Sequence, residues 1–113
     1  MDTIDKGLFG ELQDSAGADF VVELLDTFLE DAPKLLAELD SALARADAAG
    51  FRRAAHSLKS NSHTFGALAL SALARDLELG DLATLGAQAE PKLAALALEY
   101  QRSADALRSL CHG

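Results

Sequence analysis

Cysteine is nearly missing from this chain. Cys111 stands alone, so no internal disulfide can form, which fits a reducing cytoplasm. Proline is scarce, at two residues, and aromatic side chains make up only 5%. No apolar run approaches the roughly 20 residues that span a bilayer, and the N-terminus lacks the basic-then-apolar order of a signal peptide. A basic excess is missing too: 10 Lys and Arg face 18 Asp and Glu, giving a net charge of −8. That balance argues against binding nucleic acid or an anionic membrane through a basic surface. The expectation is a soluble cytoplasmic protein whose partners are other proteins. Repeats, low-complexity linkers and strand-like alternation are likewise absent.

What remains is rich in Leu and Ala, both strong helix formers, and half of the 113 residues are hydrophobic. The length suits one domain, residues 1–113, with a single core. A short amphipathic piece over 3–14 carries Ile4, Leu8 and Leu12 four residues apart. From residue 18, Val21, Leu25, Phe28, Ala32, Leu36, Leu39, Leu43 and Ala46 recur three or four apart. This predicts one long helix over 18–48, kinked near Pro33 and closed by Gly50. A second helix over 51–65 presents Phe51, Ala55, Leu58, Ser62 and Phe65, with Gly66 placed to end it in a left-handed conformation. A third over 68–79 carries Leu70, Leu73 and Leu77 and ends at Gly80; residues 81–88 read as a turn or short helical segment. Pro91 opens a last helix over 89–111, with Leu93, Leu96, Tyr100, Ala104, Leu107 and Cys111 along one face. Short Gly-marked connections make the fold class all-α, an antiparallel four-helix bundle with a short N-terminal capping helix.

One helix carries candidate chemistry. Arg52, His56, Lys59 and His63 are spaced 4, 3 and 4 apart, about 100° around from the apolar centre at Phe51, Leu58 and Phe65. The stripe therefore faces outward. Imidazoles titrate near pH 6.5 in model peptides, so near neutrality much of this side chain is uncharged and nucleophilic. Lys59, three residues on, can hold a negative group beside His56. Ala55, Ser60, Ser62 and Gly66 are small, which lets a partner surface approach. A neutral imidazole so placed can attack the phosphorus of an acyl phosphate on a partner's aspartate, with Lys59 offsetting charge on the phosphoryl oxygens. An inert surface histidine fits the spacing as well, since helices commonly carry a solvated basic stripe. His63 is a second phosphoacceptor candidate, but glycine stands three residues after it. The two histidines are seven positions apart, about 10 Å along the helix, against metal chelation by the pair.

The extended pattern resembles the histidine-containing phosphotransfer (HPt) family. His56, Leu58, Lys59, Ser62, Gly66 ten residues after the histidine, Leu70 and the pair Leu77-Glu78 all fall in register with it. Phe28-Leu29-Glu30-Asp31-Ala32-Pro33 and Arg53-Ala54-Ala55 also look like this family, over about residues 18–110. The resemblance implies that His56 is phosphorylated and Lys59 is its electrostatic helper. It implies response-regulator receiver domains as partners, Mg²⁺ bound on the receiver, no cofactor on this chain and a monomeric state; a hybrid histidine kinase is a further candidate partner. Arg52, Ser60 and His63 become candidates for a receiver-docking face, and Ser62 and Gly66 structural positions. Ser60 departs from the family, which has glycine directly after the lysine, and this bears on docking geometry and partner choice.

Other readings compete. A dimerising autokinase places an acidic residue after its histidine and a proline soon beyond; here Ser57 follows and the next proline is Pro91. A glycine-rich ATP-binding segment is also missing, so the expectation is a carrier rather than an enzyme. A four-helix adaptor without chemistry, or a receiver-binding regulator that has lost transfer, stays open. Thr64-Phe65-Gly66 also resembles the phosphoacceptor domain of chemotaxis-type kinases. Because the chain starts at Met1 and ends soon after the last helix, a free-standing protein is expected over an excised domain.

Overall fold

The computed structural model describes residues 3–80 and 82–112. Its helices are α1 (Lys6–Ala16), α2 (Ala18–Arg45), α3 (Ala48–Thr64), α4 (Leu68–Leu79), a single turn α5 (Leu82–Leu85), a 3₁₀ turn at Gly86–Gln88 and α6 (Ala89–His112). No strand occurs among the described residues. Helices α2, α3, α4 and α6 close a four-membered ring, α6 touching both α4 and α2, while α1 lies on α2 and the end of α3. At 1.5 Å rise, the 28 residues of α2 span about 42 Å, the full length of a 42 × 26 × 19 Å molecule.

The expected stripes supply the core. Val21, Leu25, Phe28, Ala32 and Leu39 of α2 are buried, as are Phe51, Ala55, Leu58 and Ser62 of α3, Leu70 and Leu77 of α4, and Leu93, Leu96, Tyr100, Ala104 and Leu107 of α6. Each fully buried Leu or Phe contributes about 1.5–3 kcal/mol relative to exposure. Phe28 ties three helices together: its ring lies 5.2 Å from Phe65 and 6.1 Å from Tyr100, spacings at which aromatic pairs attract beyond simple burial. Pro33 sits inside an unbroken α2.

Three local details differ from the sequence reading. The first long helix ends at Arg45, not near 48, and Gly50 does not close it. Ala46 does, at φ 55°, with its N–H bonded to the carbonyls of Ala42 and Leu43. Asp47 then starts α3 by accepting a hydrogen bond from the Gly50 N–H at 3.0 Å. A Cβ on Gly50 would lie 2.5 Å from Asp47 Oδ2, so a larger residue there would push on the capping carboxylate. In the N-terminal piece, the residues sealed into the core are Ile4 and Phe9, whereas Leu8 and Leu12 are half-buried. Asp5 Oδ1 caps α1 through the Leu8 N–H, so the helix begins three residues later than its apolar spacing suggests and the inward face shifts.

Gly66 joins the cap to the bundle. It has φ 78°, its carbonyl accepts the Asp5 N–H at 2.8 Å, and a Cβ on it would lie 2.7 Å from the Asp5 carbonyl oxygen. Gly66→Ala therefore meets both a left-handed backbone and a backbone clash. It is expected to cost about 1–3 kcal/mol, read as a fall of several degrees in thermal midpoint with helicity at low temperature retained.

Candidate functional site

Helix α3 has a broad inner face, Phe51, Ala54, Ala55, Leu58 and Ser62, and an outer one carrying Arg52, His56 and His63, all exposed. The ring of His56 is 59% exposed and the Lys59 side chain 29%. Burial of Leu58 and Ala55 fixes the rotation of the helix, and that rotation sends His56 outward. Two buried serines lie under this face, one bonded within α3 and one across to it. Ser62 Oγ donates to the Leu58 carbonyl at 2.6 Å, which satisfies this buried hydroxyl within its own helix. Ser71 Oγ of α4 donates to the Lys59 carbonyl at 3.0 Å, pinning α4 beside the candidate site.

Two turns beyond Ser71, Glu78 reaches the site from α4. Its Oε1 lies 2.8 Å from His56 Nδ1 and its Oε2 2.8 Å from Lys59 Nζ. One carboxylate thus holds both residues that the sequence singled out. The hydrogen bonds from Lys59 and then from His56 keep the Glu78 carboxyl below the usual glutamate value of 4.5. Near neutrality Glu78 is therefore ionised and can only accept. In the neutral ring the proton consequently sits on Nδ1, and Nε2 carries the free lone pair of a ring that is 59% exposed. Sequence reasoning placed Glu78 in a family pattern without giving it a role. Its partner lies 22 residues away on another helix, and only the α3–α4 packing brings them together.

A depressed carboxyl makes a pH-dependent contribution to stability. Since the folded value lies below the unfolded one, Glu78 stabilises fully above the ordinary glutamate range, and the contribution is lost as pH falls through the folded value. Glu78→Gln is expected to flatten the acid limb of the stability–pH curve below about pH 4.5, measured by urea unfolding at successive pH values. Parallel curves for the two proteins would rule out this coupling.

The remaining predicted residues divide between two depressions. Ser60 and His63 line one of about 530 Å³ with Lys59, Leu68, Ala72 and Arg75. Arg52 lines another of about 400 Å³ with Arg53, His56, Ser57 and Glu78. His63 is thus separated from His56, as the helical spacing predicts. Gly66 lies away from the imidazole at the junction with α1, and Ser62 lies beneath the site in the core. Among the described residues, no group of three or more His, Cys, Asp or Glu could hold a metal ion, and no helix is long and apolar enough to cross a membrane.

Comparison with known proteins adds to this geometry. The family model described as "Hpt domain" matches residues 23–112. No curated protein matches the chain. Among solved structures, histidine-containing phosphotransfer protein B (HptB) from Pseudomonas aeruginosa PAO1 is similar at 27% sequence identity and a TM-score of 0.87, over 96% of this chain and 94% of that one.

Proposed function

The chain belongs to the Hpt domain family, and from that premise we propose that His56 is the residue through which it carries a phosphoryl group between receiver domains. The observation that supports this most is the Glu78 bridge, which engages Nδ1 and so leaves Nε2 of the exposed ring unbonded, with Lys59 held by the same carboxylate. In the proposed transfer, the Nε2 lone pair attacks the phosphorus of an aspartyl phosphate on the receiver. The N–P bond forms as the acyl O–P bond breaks, and the receiver carboxylate departs. The ring keeps its Nδ1 proton and gains positive character, which the Glu78 carboxylate stabilises. Return runs by the reverse steps, with an aspartate of the next receiver as nucleophile. Mg²⁺, on this reading, belongs to the receiver, whose acidic pocket would hold it. A hybrid kinase would stand upstream, and the carrier would act as a monomer.

Incubation with a ³²P-labelled phosphoreceiver tests the proposal. Label on this protein that is labile to acid and stable to base identifies a phosphohistidine. No transfer from any receiver of the source organism would favour a four-helix adaptor instead.

A further inference from the structure

We propose that Arg52 and Arg53 supply the positive charge that Lys59, shared with Glu78, leaves lacking, and help hold the phosphoryl group on His56 from the side of the imidazole away from Lys59. This rests on His56 being the phosphoacceptor and concerns what neutralises the group once it is there. The argument begins with charge. A phosphoryl group brings about two negative charges. In the structure Lys59 Nζ already lies 2.8 Å from Glu78 Oε2, so the ammonium and the carboxylate offset each other. With a neutral imidazole, the His56–Lys59–Glu78 cluster has no net positive charge to offer.

The depression of about 400 Å³ beside His56 supplies it. Arg52 and Arg53 line it together with His56, Ser57, Ala49 and Glu78. They precede the histidine by four and three residues, one helical turn, and side chains on a helix lean toward its N-terminus. His56 therefore leans over the turn that bears both arginines. Neither guanidinium has an ion-pair or side-chain hydrogen-bond partner among the described residues. Arg45, Arg102 and Arg108 are each engaged by a carboxylate, whereas Arg52 and Arg53, like Arg75 at the other depression, are not. Two free guanidinium forks offer the planar donors that suit phosphoryl oxygens. Both arginines are exposed, so their long side chains have room to swing toward the ring.

A small phosphodonor separates holding the group from docking a receiver. Phosphoramidate transfers its phosphoryl group to Nε2 as its own N–P bond breaks and ammonia leaves. The expected result is that Arg52→Gln/Arg53→Gln labels about tenfold more slowly than the parent with phosphoramidate. On the phosphorylated protein, ³¹P NMR titration is expected to show the phosphoryl group taking up its proton at higher pH in the variant. Arg52→Lys/Arg53→Lys should recover part of both effects, and Lys92→Gln, which removes one charge on α6, should change neither. Parent-like labelling and titration in the glutamine variant would overturn the proposal, even if transfer from receivers fell, because the arginines would then serve docking alone. An equal effect from Lys92→Gln would overturn it as a mere net-charge effect. If the parent takes no label from phosphoramidate or from receivers, the assignment of His56 fails and this inference with it.

Discussion

A His56→Gln protein is expected to take no detectable label from a phosphoreceiver, a loss of more than about 100-fold, while keeping the helicity and thermal midpoint of the parent. The two halves of that expectation have separate physical grounds. Glutamine is close in size and can still donate from its amide to Glu78, and the replaced ring is 59% exposed, so little packing is lost. An amide nitrogen has no basic lone pair to attack phosphorus, so the nucleophile is gone. His63 does not offer a substitute. It lines the other depression, with Lys59 and Ser60, and among the described residues no carboxylate fixes the tautomer of its ring. Filter-bound label after quenching at alkaline pH, with circular dichroism on the same samples, checks both halves. Persisting acid-labile label in the variant would move the acceptor elsewhere.

The bundle was legible because its inward positions follow a strict helical period. Val21 through Leu39 and Phe51 through Ser62 report which way each helix must turn, and that fixes the outward direction of His56 without knowledge of any contact. Boundaries were less legible where the chain uses a residue against type. Ala46 takes a left-handed conformation that its composition does not announce, and Gly50, which does look like a terminator, lies in the first turn of α3, its N–H bonded to the capping Asp47. Phe9 rather than Leu8 or Leu12 seals the N-terminal helix because Asp5 decides where that helix starts. The site divides in the same way. His56 and Lys59 share a flank through spacing on one helix, a property of sequence. Glu78 joins them through the meeting of two helices, set by Ser71 against the Lys59 carbonyl, and no spacing along the chain encodes that.

The Glu78 bridge also sets how losses at the site combine. Lys59→Ala is expected to slow transfer from a phosphoreceiver about 100-fold, the scale for removing a group that stabilises developing negative charge. Part of that loss comes from Glu78, whose second oxygen is then left as an unpaired negative charge next to the incoming phosphoryl group. Glu78→Gln alone is expected to cost about tenfold, because the amide oxygen still accepts from Nδ1 but no longer stabilises a positive ring. The combined variant Lys59→Ala/Glu78→Gln should therefore be faster than Lys59→Ala, since the second change removes the repulsion that the first exposed. Neighbours sharing one partner are the case in which single losses fail to multiply. Single-turnover transfer rates for the four proteins provide the cycle. A double variant about 1,000-fold slower than the parent, the plain product of the two single losses, would mean that Lys59 and Glu78 act independently despite their 2.8 Å contact, and the bridge would then be a structural tie without a part in the chemistry.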